Sequence, residues 1–169
     1  MRIHTIGFTR KPARTFFGLL RDSGARRLID IRLNNVSQLA GFTKRDDLEF
    51  FLAELCGINY THDLRLAPTK PMLDAYKKRA VTWEQYERSF IDLMAERRVE
   101  QSLSRELLDN SVLLCSEATS RHCHRRLVAE YLADHWDDAE IATSDLSRSR
   151  PPRGGRHRRR TSRHLPTPR

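Results

Sequence analysis

Apolar residues along this chain recur with two different spacings, and the alternation between them lays out the fold. Short apolar or alternating runs at RIHTI (2–6), RRLIDIR (26–32), INYTH (58–62) and VLLC (112–115) predict strands. AEIAT (139–143) is a weaker final strand. Between them the spacing becomes helical. PARTFFGLLRDSG places Ala13, Phe16, Phe17 and Leu20 on one face, with Gly24 just past the end. A helix opened by Thr43 carries Leu48, Phe51, Leu52, Leu55 and Cys56 and closes at Gly57. Thr82 and Gln85 make a capping box for a helix bearing Trp83, Tyr86, Phe90, Leu93 and Met94. CHRRLVAEYLADHW turns Leu127, Val128, Tyr131 and Leu132 inward and leaves Arg126 and Glu130 as an exposed pair.

Strands alternating with helices imply an α/β domain with a mainly parallel sheet and helices on both faces. Connections of one hand put every strand-to-helix loop on the same edge, where sites form in such sheets. Three loops should therefore meet: Gly7 to Thr9, Arg32 to Ser37, and Cys115 to Cys123.

Composition changes this picture little. A chain of 169 residues that is 38% hydrophobic can bury a modest core. No run approaches the length of a membrane span, and MRIHTIGF lacks the apolar core of a secretory signal. Three cysteines with no framework spacing fit a reduced, cytoplasmic protein. The net charge of +9 is local: nine of the 31 Lys and Arg residues lie in 147–169, and all 22 acidic residues precede that segment. Residues 1–146 are thus balanced, 22 against 22, and form the single domain. Residues 147–169 read as a disordered Arg-rich tail that could contact nucleic acid. The oligomeric state is not legible.

The chemistry concentrates in LLCSEATSRHCHR (113–125). Cys123 opens a helix, where free backbone N–H groups favour an anion, and His122, His124, Arg121 and Arg125 stand beside it. Such settings lower thiol pKa values. Cys115 ends a strand eight residues earlier, and a folded-back loop would bring the two sulfurs together. The bland alternative is a buried strand cysteine and an inert helix cap. Zinc could gather Cys115, His122, Cys123 and His124, although three consecutive donors must then point in different directions and no C-x-x-C knuckle is present. CSEATSR also matches the C-x5-R loop of cysteine-dependent phosphatases, but without glycine and with Glu117 near the phosphate position.

Elsewhere the pattern is plainer. Arg32 faces the same edge as Glu117 and could pair with it, tying two loops together or holding an anion. His4 reads as a satisfied histidine on a sheet face, Cys56 as core, and the Trp83, Tyr86 and Phe90 stripe as core packing.

Taken together, TIGFT, LIDIR with Ser37 beyond it, GINY, WEQYERSF, and LLCSE with CHRRLVAEYL resemble, in order, the domain-of-unknown-function family 488 over roughly residues 2 to 143. The resemblance implies a small Rossmann-like domain with no established reaction. Its motif positions fall on Thr5, Gly7, Arg32, Ser37, Tyr60, Cys115, Glu117, Cys123, His124 and Arg125. The chain departs from the pattern at Phe8, where His or Tyr is usual, at Thr9, where Ser is usual, and at Leu66-Ala67-Pro68, where Leu-Gly-Gly is usual. Together these readings predict a pocket with Cys115, Glu117, Cys123 and His124 as its reactive groups. Arg32, Ser37, Tyr60, Arg125 and Thr9 would hold a small anionic ligand, and neither a metal nor a cofactor is assigned. The rival is a binding or adaptor domain whose tail engages nucleic acid.

Overall fold

The computed structural model describes residues 1–36, 40–136 and 142–146. Five strands pair in parallel throughout, in the order β3-β2-β4-β1-β5, with β1 at Arg2–Gly7, β2 at Arg27–Asp30, β3 at Asn59–His62, β4 at Ser111–Cys115 and β5 at Ala142–Asp145. The fifth strand overlaps the weak 139–143 prediction, although residues 137–141 lie outside the described residues. So does the 147–169 tail.

Side chains alternate across the pleat, and the two cores follow from that period of two. Ile6, Leu28, Val112 and Leu114 face helices α1 (Ala13–Ser23) and α2 (Arg45–Cys56), meeting Phe16, Phe17, Leu20, Leu48 and Leu52. Ile3, Ile29, Ile31 and Leu113 face the other way. There they meet Phe90 and Met94 of α4 (Trp83–Glu96) and Leu127, Val128 and Leu132 of α7 (His124–His135). Burial on both faces explains why β4 is apolar at nearly every position. Gly7 and Cys115 share the parity of Ile3 and Leu113, which turns the cysteine toward α4 and α7.

The helix ends follow local chemistry. Gly24 and Gly57 close α1 and α2 with φ of 67° and 64°. Both halves of the capping box form at α4: Gln85 N–H donates to Thr82 Oγ1 at 3.3 Å and Thr82 N–H donates to Gln85 Oε1 at 2.8 Å. Two expectations for α2 are corrected. Thr43 does not cap it, because its hydroxyl donates to the Ala40 carbonyl at 2.8 Å within a one-turn 3-10 helix, and α2 begins at Arg45. Its buried stripe is also narrower than the spacing implied, leaving Leu55 half exposed.

Between β3 and α4 lies a helix beyond those predicted, α3 (Lys70–Lys77). Thr69 caps it and Pro71 occupies its first turn. Two short helices, α5 (Val99–Ser102) and α6 (Arg105–Leu108), lead into β4. Among the described residues no helix is long and apolar enough to cross a membrane.

At the carboxyl edge the chain leaving β4 passes directly over Gly7. A Cβ there would overlap the Glu117 carbonyl oxygen and sit 2.8 Å from Arg125 Nη1. Gly18, inside α1, has nothing within 4 Å of the same hypothetical atom. Gly7→Ala should therefore destabilise the protein by about 3 kcal/mol in urea unfolding, an overpacking cost that backbone cannot relieve. Gly18→Ala should stabilise it by about 0.5–1 kcal/mol through the unfolded state.

Candidate functional site

The strand ends and the start of α7 bring two sulfurs and an imidazole together. Cys115 ends β4, Cys123 is the residue that caps α7, and His124 is its first residue; all three are buried. His124 Nε2 lies 2.9 Å from the Ile31 carbonyl oxygen, which can only accept, so that nitrogen carries a proton. The ring's other nitrogen, Nδ1, is thereby aimed at Cys115 Sγ at 3.6 Å. A backbone N–H at Glu117 and the Cys123 thiol also reach Cys115.

These contacts split the two thiols. The Cys123 hydrogen bond, then the charge and hydrogen bond of His124, hold Cys115 well below the ordinary thiol range despite its burial. Burial, and then the neighbouring Cys115, push Cys123 well above it. For His124, burial alone favours the neutral ring, but the Cys115 charge and hydrogen bond outweigh it and raise the pKa. The three shifts together favour negative charge on Cys115 and a proton on His124, and disfavour charge on Cys123.

Arg125 secures this arrangement from below. Its fully buried guanidinium donates from Nη1 to the Glu117 carbonyl at 2.7 Å and to Cys123 Sγ at 3.4 Å, and its Nη2 lies 3.7 Å from Asp145 Oδ2. Arg125 is absent from the cleft lining and positions the loop instead.

The cysteines form the floor of a cleft of about 330 Å³, within the size range of small-molecule sites. Arg32, which is buried, and Glu117, which is exposed, also line it. One wall is aromatic. Tyr86 lies 4.9 Å from Tyr76 and 5.4 Å from Trp83, and the His122 ring lies 5.1 Å from Trp83. On the helical stripe of α4, Tyr86, Phe90 and Met94 are buried in the core with Trp83 packed against them, and Trp83 and Tyr86 also line the cleft. His122, one of the four donors of the zinc reading, is occupied with Trp83. The two sulfurs and a His124 nitrogen lie within 4.8 Å of one another, a set that suits a thiophilic ion. Among the described residues no fourth donor joins them, whereas a closed structural zinc site uses four.

Arg32 differs from expectation. Its partner is not Glu117 but Asp30, two residues earlier on the same strand face, with Nε donating at 2.7 Å and Nη2 at 2.6 Å. Nη2 also donates to the Thr43 carbonyl at 2.9 Å, and the guanidinium stacks over Phe8. Tyr60 completes this second cluster by donating to Asp30 Oδ2 at 2.7 Å while accepting from Asn35 Nδ2 at 2.9 Å. Burial and the Asp30 charge push the Tyr60 pKa up, so it remains a neutral donor. Arg32 Nη1 is buried and has no hydrogen-bond partner among the described residues. Thr9 is exposed, and its backbone N–H donates to the Ser116 carbonyl at 3.1 Å, outside the cleft. Ser37 lies outside the described residues.

Two contributors escaped the reading of the sequence. Asp30 was visible as an acid in a buried strand with an arginine two residues on. Tyr76 comes with α3, whose Thr69 cap, Pro71, and Leu73 to Tyr76 spacing form a helix signature. Because Asp30 neutralises a buried arginine, Asp30→Asn should cost about 3–5 kcal/mol in chemical denaturation. Tyr60→Phe, which removes the hydroxyl and both of its hydrogen bonds, should cost about 1–3 kcal/mol.

No curated protein and no solved structure matches this chain. The model of one family does, that of the domain of unknown function DUF488, over residues 12–132. The match takes in the Arg32 and Asp30 strand end, Tyr60, and the whole of the cysteine loop, and the chain belongs to the DUF488 family.

Proposed function

We propose that this protein is a thiol-dependent enzyme whose Cys115 thiolate acts as nucleophile on a small anionic substrate held in the cleft. The observation that carries this reading is the convergence of Cys123, His124 Nδ1 and the Glu117 backbone N–H on one sulfur at the cleft floor. His124 is the proton partner, held in orientation by the Ile31 carbonyl. Arg32 offers Nη1, unpaired among the described residues, as an oxygen anchor, and Lys77 adds positive charge to the lining. Glu117, exposed on the rim, is the acid/base or orienting group for the bound substrate. Arg125 positions the cysteines, and Tyr60 acts through Asp30 to hold Arg32. The aromatic wall supplies the apolar surface that keeps water from the sulfur.

The pH dependence follows from the shifts. Cys115, with a lowered pKa, stays a thiolate below the ordinary thiol range and is silenced only when the pH falls through its own value. Cys123, with a raised pKa, is deprotonated only in alkali, and burial pushes Cys56 up as well. Alkylation of the native protein, resolved by peptide mass spectrometry across pH, should show Cys115 reacting fast near neutrality while Cys56 and Cys123 lag. His124→Asn should move the pH at which Cys115 alkylation sets in upward, because the charge and hydrogen bond that His124 lends the thiolate are lost. Equal, unfolding-limited rates at all three cysteines would sink the proposal.

A further inference from the structure

A nucleophilic thiol needs only one sulfur, yet this cleft floor holds two. The Cys123 sulfur lies within 4.8 Å of the Cys115 and His124 donor atoms. It is no helix cap in the energetic sense, since its side chain makes no capping hydrogen bond. Cys123 instead has extended backbone, φ −144° and ψ 135°, at the junction of the loop and α7. A side chain there can swing without breaking a helical hydrogen bond. Arg125 Nη1, 3.4 Å from Cys123 Sγ, supplies positive charge to that sulfur as well. Both cysteines are at least 95% buried, so only a small reagent entering by the cleft can reach them.

We propose that Cys115 and Cys123 form a two-electron dithiol couple that reduces small hydroperoxides, with Cys115 attacked first and Cys123 resolving it. The inference rests on the reading of Cys115 as the cleft's nucleophile. The Cys115 thiolate attacks the terminal oxygen of the hydroperoxide and the O–O bond breaks. Cys115 becomes a sulfenic acid, and the departing alkoxide takes a proton from the His124 imidazolium and leaves as the alcohol. Arg32 Nη1, buried at the cleft and without a hydrogen-bond partner among the described residues, is a donor for that developing oxyanion. Cys123 then gives its proton to His124 and attacks the sulfenic sulfur. The S–O bond breaks, hydroxide departs and is protonated, and an S–S bond forms, the sulfurs closing to about 2.05 Å. The balance is two thiols and one hydroperoxide giving one disulfide, one alcohol and one water. A small dithiol, oxidised to its own disulfide, returns the couple to the reduced state by thiol exchange.

The test treats the full-length reduced protein with one equivalent of hydrogen peroxide at neutral pH, blocks remaining thiols by alkylation, and maps peptides without reduction. The expected product is a Cys115–Cys123 crosslink with Cys56 still alkylatable, reversed by dithiothreitol, and retained in Cys56→Ser. Cys123→Ser should lose the crosslink and stop at a Cys115 sulfenic acid that dimedone traps. The wild-type map stands by itself should that variant fold poorly. Conversion of Cys115 to sulfinic acid with Cys123 still a free thiol would overturn the couple. So would unreacted thiols in a protein whose Cys115 nevertheless alkylates fast, and both results leave the nucleophile reading standing. Slow alkylation of Cys115 overturns both.

Discussion

The guanidinium of Arg125 is the contact through which sheet, loop and helix become one site. It sits at the first turn of α7 with no exposed surface, and a single nitrogen serves both the Glu117 carbonyl and the Cys123 sulfur. The loop carbonyl can approach that closely only because position 7 has no side chain. Take either away and the loop that carries Ser116, Glu117 and Cys123 loses its height above the sheet. A buried charge is costly in itself. Here it is set against a carbonyl, a sulfur and, at 3.7 Å, the Asp145 carboxylate of the neighbouring strand. The reactive geometry above depends on this expensive contact beneath it.

A second buried arginine repeats the device on the other side of the cleft. Arg32 is tied to Asp30 by two hydrogen bonds from its guanidinium and to the Thr43 carbonyl by a third, and Tyr60 donates to that carboxylate while accepting from Asn35. The pairing neutralises most of its charge, yet Nη1 has no acceptor among the described residues. Between the two arginines lies the thiol pair, and across from it an aromatic wall that lowers the local dielectric. In such surroundings a thiolate is stable only through its immediate donors, which is why His124 and Cys123 matter more than the distant net charge.

Much of this was legible in the residues. The alternation of spacings gave the parallel sheet, and parallel strands sent the loops after β1, β2 and β4 to one edge. Cys115, Cys123 and His124 are neighbours for that reason, and the glycine caps and the Thr82 box mark helix ends through purely local chemistry. What was hidden depends on distance rather than pattern. Arg32 was matched only with Glu117, whereas its partner is Asp30, two residues earlier on the same side of the chain. Trp83 and Tyr86 sit on a stripe that reads as core because a cleft wall and a core wall are equally apolar. Arg125 appeared suited to an anion in solution, whereas its burial beneath Gly7 emerges only when β1 and the cysteine loop are brought together.

Charge on Cys115 should be what keeps a proton on the buried His124 ring. The direct measurement is a pH titration of the His124 ring by nitrogen-15 NMR, in the wild type and in Cys115→Ser. With the thiolate present, its charge outweighs burial and the His124 pKa lies above that of an ordinary histidine. Without it, burial should dominate and the pKa should fall below the ordinary value, leaving a ring neutral at physiological pH with its proton on Nε2 toward Ile31. A His124 titration unchanged by the substitution, or a ring already neutral near pH 6 in the wild type, would contradict the account.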